Sequence, residues 1–413
     1  MADDEALAAL HSTLSARDYN RTKAGLGSSS DGADQATSVA QHYNSLSDRH
    51  RTLSSGSNIL HLRNLNNFVK SVLFQKHLPR GDRKRGGAAV LDLACGKGGD
   101  MLKFKASDVA VYVGIDIAAR SVQDGIHRYN GANGRREMPF QGTFMAGDFC
   151  ASSIESKLPD GVRFHLVSCQ FAMHYAFQSE ARAVSLLRNA ACKLRVGGTF
   201  VATIPDANVL VKRLRASEGL RFGNSLYSVE FAEAATPKSF TSSPFGLAYR
   251  FSLTEAVEDC EEYLVHLPTL TRLAAAAGLE LIYAKNFTDF FAEEWQSHRG
   301  LLERMRVLPE EGSISQEEWD VAHVYMAVAF RRVRRPEDGD DVARADAQIG
   351  ELVRNRGFRR LDPDRDLVYL DGAPTVPPAS AESSAGSKRP REDEGETRDH
   401  VKYAAAHEDA LFE

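Results

Sequence analysis

VLDLACGKGGD, residues 90–100, is an apolar run that ends in three glycines within four residues, Gly96, Gly98 and Gly99. A second run, VYVGIDIA at residues 111–118, follows and carries Asp116 near its end. Apolar runs of this length read as strands buried on both faces of a parallel sheet. The glycines let the next turn bring bare backbone against a ligand. Asp116, at the tip of the second strand, is placed to accept hydrogen bonds from both ribose hydroxyls of an adenosine. Glycines alone would fit a plain tight βα turn; with a strand-end acid at this spacing they favour a nucleotide-type cofactor.

The spelling narrows the cofactor. G-x-G-x-x-G would set the glycines differently and give the helix a third small residue for close packing, which A-C-G-K-G-G lacks. A P-loop needs Ser or Thr after its lysine, whereas Lys97 is followed by Gly98. Further on, FMAGDF puts Asp148 after a third apolar run, and FHLVSCQFAMHYAF puts Gln170 to Tyr175 just past a fourth. Acid, acid, then polar and aromatic residues at successive strand ends suit S-adenosylmethionine, whose ribose, adenine and methionine head each need a loop.

At 413 residues the chain is long enough for a sizeable core, and its net charge of −5 says little about partners. Locally, twelve Lys or Arg against three Asp over residues 49–105 leave +9 around the glycine turn. Such clustering fits either a phosphate-bearing ligand or a solvated helix face. Five cysteines without a C-x-x-C pair point to no zinc site and a reducing compartment. With an acidic N-terminus and no apolar run of membrane-spanning length, a soluble intracellular protein is expected.

Residues 1–34, rich in Ser, Gly and Asp, read as a disordered N-terminal segment. A helix from Ser57 is signalled by Ile59, Leu62, Leu65, Val69, Val72 and Leu73 at three- and four-residue steps, with Ser57 or Asn58 as cap. Its other face carries Arg63, Asn66, Asn67 and Lys70. Strands and helices then alternate to about Pro205, including a helix over residues 179–194 closed by Gly197 and Gly198. LYSVEF and GLAYRFSL alternate like an inserted antiparallel pair, and LELIYAK and HVYMAVAFRR would complete the sheet. Residues 336–413 read as a charged, largely disordered tail, disorder being plainest over residues 374–413. There, Lys388-Arg389-Pro390-Arg391 is either a nuclear address or a charged patch.

HYN at His42, L-R-x-x-N-N-F-x-K at Leu62 to Lys70, D-L-x-C-G-K-G-G-D, S-C-Q-F-x-x-H-Y, F-G-N from Phe222 and E-Y-L-V at Glu262 together resemble the eukaryotic mRNA cap (guanine-N7) methyltransferases. The resemblance implies a Rossmann-like class I S-adenosylmethionine-dependent methyltransferase. Its α/β fold would have a mainly parallel central sheet, helices on both faces, a domain over residues 35–335 and an antiparallel lid over about 206–265. By that similarity Lys70, the Ala94 backbone and Gly96 hold the methionine end of the cofactor, Asp116 the ribose, Asp148 the adenine, and Gln170 and Tyr175 the remaining edge. The family commonly has glycine at Ala94, and the added methyl is harmless if φ is negative there. For the cap it implies Asn66, Asn67, Lys97, Lys103, Arg128, His174, Glu262 and Tyr325, with Lys97, Lys103 and Arg128 as cations for the triphosphate.

Glu262 is the sharpest of these, because guanine shows two adjacent donors that one carboxylate can accept. His174 could donate to the guanine carbonyl, and Tyr325 or Tyr175 supply ring surface. The guanine N7 carries a lone pair and no proton, so in-line attack on the sulfonium methyl needs no general base; Glu262, His174 and Tyr325 would position, and no metal is required. The implied partner is 5′-capped nascent mRNA, with the RNA polymerase II tail or other capping enzymes open as further partners, no membrane, and the nucleus as location. Two other readings stay open: a class I methyltransferase acting on a small molecule or protein, and a catalytically silent capped-RNA-binding module.

Overall fold

The computed structural model describes residues 57–79, 87–131, 136–232, 243–309, 312–335 and 358–371. The expectations placed on residues 1–34, His42, residues 374–413 and the Lys388–Arg391 run lie outside them. In chain order come α1 (Leu60–His77), β1 (Ala88–Leu93), α2 (Met101–Ala106), β2 (Val109–Asp116), α3 (Ala119–Tyr129), β3 (Gln141–Ala146), β4 (Phe164–Gln170), α4 (Glu180–Ala191), β5 (Leu194–Pro205) and α5 (Ala207–Ala216). Then follow β6 (Arg221–Gly223), β7 (Tyr227–Phe231), β8 (Ala248–Leu253), β9 (Val257–Tyr263), α6 (Leu267–Ala276), β10 (Leu279–Asn286), α7 (Phe287–Glu294), α8 (Arg299–Arg304), α9 (Gln316–Ala322), β11 (Tyr325–Arg332) and β12 (Leu367–Tyr369).

Eight strands form one sheet in the order β10-β11-β5-β4-β1-β2-β3-β12. All neighbours are parallel except β10, β11 and β5, which pair antiparallel. All six residues of β1 are buried, Asp92 among them, as a strand covered on both faces requires. Val90 faces a core built with α1, α2, α3, α5 and the lid, while Leu91 and Leu93 face a second core built with α4 and α6. The chain order reverses between β1 and β4. This is the switch point where doubly wound sheets open a crevice at the carboxyl ends of their strands. Ala94, Asp116, Asp148 and Gln170 all lie at those ends.

The lid is a separate four-stranded antiparallel sheet, β6-β7-β8-β9. The sequence alternation gave only its middle pair. The residues of β7 and β8 do alternate buried and exposed, with Val229, Tyr249 and Phe251 entering the first core. β9 is too rich in acids to show the pattern, with only Val257 and Cys260 apolar before Tyr263.

Three local expectations change. The helix of residues 179–194 is capped by Ser179, whose Oγ accepts from the Arg182 amide, but it ends at Ala191. Gly197 and Gly198 instead lie inside β5, where Gly197 (φ 81°) sits in the offset between the pairs Phe164–Leu194 and Leu166–Thr199. Only a residue tolerant of positive φ fits such a bulge. Residues 358–371, which composition assigned to the charged tail, return to the sheet. Their strand β12 pairs with β3 through Leu367–Phe144, Val368–Met145 and Tyr369–Ala146.

The third change concerns α1. Its apolar stripe is buried as predicted, but neither Ser57 nor Asn58 caps it by side chain. Carboxylates from distant elements serve instead: Glu318 Oε1 accepts from the Leu62 amide at 2.9 Å, and Glu255 Oε1 from the Asn58 amide at 3.1 Å. Glu318 also closes a capping box with Ser315 at the start of α9. One buried carboxylate thus satisfies the amino ends of two helices, where their dipoles favour negative charge. Glu318→Ala should therefore lower stability by about 2 kcal/mol, measured as a shift of the urea midpoint at unchanged slope.

Candidate active site

β1 runs into a turn whose backbone only small residues take cheaply: Ala94, Gly96 and Gly98 have φ of 61°, 51° and 69°. The turn is tied to β2 by the Cys95 amide, which donates to the Ile115 carbonyl at 3.0 Å. It is tied again by the Gly96 amide, which donates to Asp116 Oδ2 at 2.8 Å, while Asp116 Oδ1 accepts from the Ala118 amide at the same distance. Burial pushes the Asp116 carboxyl up, against the pull of the Ala118, Gly96 and Ile117 amides. Each Asp116 oxygen keeps a lone pair for a ribose hydroxyl. A Cβ built on Gly96 would meet nothing within 4 Å, so the turn faces open space. The residues present therefore fit an adenosine-bearing cofactor.

The positive φ of Ala94 overturns the condition under which its methyl was expected to be harmless. A left-handed L-residue costs roughly 1–2 kcal/mol, so this turn carries strain that glycine would relieve.

Behind the turn lies a charge cluster that pattern alone did not show. Lys70 Nζ from α1 and Lys103 Nζ from α2 both sit 2.7 Å from Asp100 Oδ1. Burial opposes ionisation of Asp100, yet Lys103 and Lys70 together hold its carboxyl well below the ordinary carboxylate range. Two ammoniums around one carboxylate leave a residual positive charge beside the glycine turn. That suits a small anionic head such as a carboxylate. Lys103 is only 4% exposed and its Nζ also lies 3.4 Å from the Gly99 carbonyl, so it belongs to the turn's support and does not stand out toward a triphosphate. Among the described residues of the +9 segment, Lys76 pairs with Glu294 and Lys97 lies 3.4 Å from Asp124. Asp92, 2% exposed, accepts from the Tyr112 hydroxyl at 3.0 Å. Burial, then the Asp100 charge, push its carboxyl up to about 7, against the pull of Tyr112 and Lys70.

Asp148 stands two residues past β3, its Oδ1 accepting from the Cys150 amide and its Oδ2 lying 2.9 Å from Arg182 NH1 of α4. Arg182 gave no signal in the sequence, where it reads as one more polar residue on an amphipathic helix. Gln170 closes β4, its Nε2 held by Ser168 at 3.2 Å. Phe171 follows at φ 55°, its amide held by Thr203 at 2.9 Å, and its ring meets Tyr325 edge to face at 5.1 Å. Tyr325, 7% exposed at the head of β11, also packs on Phe287 and Phe251, joining sheet, helix and lid.

β9 delivers Glu262. The two-residue strand period buries Cys260 and Glu262 and turns Glu261 outward. Tyr249, directly opposite on β8, donates to Glu262 Oε2 at 2.7 Å, and His174 Nε2 lies 3.4 Å from Oε1. Tyr175 stacks beside His174 with centroids 4.3 Å apart, and its hydroxyl meets Cys260 Sγ at 3.4 Å. Glu262, His174 and Tyr249 thus form one buried cluster, with the half-buried Tyr175 at its edge. Tyr249 was missed because in the strand pattern it reads as core. Asn66 and Asn67 lie half-buried on α1, and Arg128 half-buried in the last turn of α3.

Buried polar atoms are nearly always satisfied. Among the described residues the exceptions include Asn66 Oδ1, Gln170 Oε1, both His174 nitrogens and Arg182 Nε. Three of these four residues were chosen from sequence. Among the described residues no group of three or more His, Cys, Asp or Glu could hold a metal ion, and no helix is long and apolar enough to cross a membrane.

A doubly wound sheet with a glycine turn and two strand-end acids, covered by an antiparallel lid, defines a class I S-adenosylmethionine-dependent methyltransferase fold. Residues 28–333 match the mRNA (guanine-N(7))-methyltransferase domain. The chain is 40% identical to mRNA cap guanine-N(7) methyltransferase 1 of Oryza sativa subsp. japonica, over 73% of this chain and 82% of that one. It is 36% identical to the mRNA cap guanine-N(7) methyltransferase of Drosophila melanogaster (74% and 79%) and 39% identical to that of Schizosaccharomyces pombe (71% and 81%). Among solved structures, a putative S-adenosylmethionine dependent methyltransferase from Listeria monocytogenes superposes at a TM-score of 0.41 and 14% identity, over 66% of this chain and 99% of that one. The chain belongs to the mRNA (guanine-N(7))-methyltransferase family. Its activity is S-adenosylmethionine-dependent methyl transfer to N7 of the cap guanine, and its substrate is capped mRNA. The reading as a methyltransferase of small molecules or proteins falls with that membership.

Two outcomes are expected from this geometry. Ala94→Gly, relieving the left-handed alanine, should raise stability by about 0.5–1 kcal/mol after the added flexibility of the unfolded chain is offset; a lower melting temperature would refute the strain. Asp92 holds its proton to higher pH folded than unfolded, so its contribution to stability is lost as pH rises from about 4 to about 7. Asp92→Asn should therefore gain in melting temperature relative to wild type across that window and level off above it.

Proposed function

We propose that Lys70, the backbone of Ala94 and Gly96, Asp116, Asp148, Gln170 and Tyr175 hold S-adenosylmethionine, and that Glu262, with His174 and Tyr325, holds the cap guanine. The observation that carries the reading is the Glu262 cluster, a buried carboxylate that accepts from the Tyr249 hydroxyl and faces a histidine whose ring nitrogens are unsatisfied. A buried carboxylate seeks further donors. Guanine offers its ring N–H and exocyclic amine side by side, so one carboxylate accepts both. Tyr249 fixes the rotamer of Glu262, and His174 beside it donates to the guanine carbonyl. Tyr325, gripped by Phe171 and Phe287, presents a fixed ring edge to the base.

S-adenosylmethionine, when bound, supplies an electrophilic methyl on a sulfonium centre. The protein's contribution is alignment. The Asp100-anchored Lys70 draws the methionine carboxylate to one end, Asp116 fixes the ribose in the middle, and Asp148, steadied by Arg182, meets the adenine. Glu262 sets the guanine plane from the lid side. The residues tolerate the positive charge that passes to the guanine ring, with Glu262 the nearest anion. The donor-fixed acids Asp116, buried, and Asp148, half-buried, favour transfer over a silent capped-RNA module. Asn66, Asn67, Lys97 and Arg128 are assigned to the cap and its triphosphate; Lys103 acts through Asp100 as support. Nascent mRNA as the form of the substrate, a nuclear location, and the RNA polymerase II tail or other capping enzymes as partners follow from the capping role.

Glu262→Gln tests the reading. The amide keeps the shape but presents a donor to a guanine donor, costing about 1–3 kcal/mol, or roughly tenfold to a hundredfold in kcat/KM for GpppRNA. Affinity for S-adenosylhomocysteine should stay at the wild-type value. An inosine cap, lacking the exocyclic amine, should be poorer in the wild type and less affected by the substitution. Wild-type efficiency on guanine caps would remove Glu262 as the guanine reader.

A further inference from the structure

The matched domain ends at residue 333, yet residues 358–371 are built into the edge of the cofactor crevice. The segment is fastened at its start to the end of α3. The Asn130 side chain, 7% exposed, donates from Nδ2 to the Leu361 carbonyl at 2.6 Å and accepts from the Leu361 amide at 2.9 Å. The Phe358 ring lies 5.3 Å from that of Tyr129. The segment then runs as β12 beside β3 and reaches the loop that carries Asp148.

It grips that loop at both ends. The Leu370 amide donates to the Ala146 carbonyl at 2.9 Å, and the Leu370 side chain fills the space beside Gly147, where a Cβ would fall 2.6 Å from Leu370 Cβ. Gly147 itself, at φ 150°, donates its amide to the Asp116 carbonyl at 3.0 Å. At the far end the Ser152 hydroxyl donates to the Asp371 carboxylate. Asp148 stands between these two contacts. Through Leu370 and Asp371 this segment outside the matched domain thus holds the loop that carries Asp148, and that loop bonds Asp116 through Gly147.

We propose that residues 358–371 are a positioning strap for the adenosine half of the cofactor site, with Leu370 as its wedge against Gly147 and Asp371 as its clasp on Ser152. The inference rests on the reading of Asp148 as the adenine acceptor. A side chain that must meet a ligand within a few tenths of an ångström needs a backbone held from outside. The strap does for Asp148 what the glycine turn does for Asp116.

The test is calorimetric binding of S-adenosylhomocysteine and steady-state methylation of GpppRNA. The proteins are the full chain, Leu370→Ala, Leu370→Met, Asp371→Ala, a chain ended after residue 357, and Asp148→Asn. Leu370→Ala and the shortened chain should bind S-adenosylhomocysteine about tenfold more weakly and show a matching rise in KM for S-adenosylmethionine. The kcat at saturating cofactor should stay within about twofold of wild type, and Leu370→Met should restore affinity. A lowered melting temperature with wild-type affinity, measured well below that temperature, would make the strap merely structural and overturn the proposal. Wild-type affinity in the strap variants with weakened Asp148→Asn overturns the strap alone. The converse removes the adenine reading and keeps the strap. Should the shortened chain fail to fold, Leu370→Ala against Leu370→Met carries the decision.

Discussion

The Asp116 carboxylate is the joint on which the site depends. It accepts from the Gly96 amide of one βα turn and from the Ala118 amide of the next, so the ends of β1 and β2 cannot shift independently. Buried as it is, that carboxylate would be costly without those donors. The same two bonds that make it tolerable in the fold aim it into the crevice. Structure and function share one group here. The strained Ala94 and the open face of Gly96 lie on the turn that this group clamps.

A second layer of charge supports the first. Lys70 and Lys103 converge on Asp100, so these two cations do not stand out as free charge. Buried pairs of this kind are weak arguments for stability, since desolvation offsets much of the attraction. They are strong arguments for geometry, because a shared anion fixes both ammoniums. α1, which carries Lys70, is itself held from outside by Glu318 and Glu255 on its amino end. Through Glu255 at the β8–β9 turn, lid and α1 are linked, so the surfaces assigned to cap and cofactor are braced against each other.

The lid places the residues proposed for the guanine by a different device. In β9 the alternation of a strand chooses between neighbouring acids, burying Glu262 against Tyr249 and His174 and leaving Glu261 in solvent. Tyr325 ties this sheet to the main one through aromatic contacts with Phe171, Phe251 and Phe287.

The sequence by itself determined the sheet, the glycine turn and the strand-end acids, and it nominated the residues proposed for the guanine. Unbroken apolar runs can only be strands covered on both faces, and glycine clusters with spaced acids have few other uses. It could not place what depends on contacts between distant segments. The sign of φ at Ala94, the sharing of Asp100, the carboxylate caps on α1, the choice of Glu262 over Glu261 by a strand too acidic to announce itself, and the hold of Arg182 on Asp148 were all decided by the tertiary structure. Residues 358–371 are the plainest case. Their few apolar side chains carry no period, and Leu361, Leu367 and Leu370 become core only because β3 offers an open edge and Gly147 an empty flank. Propensity and pattern are local quantities, whereas a strand at a sheet edge is made by the partner it finds.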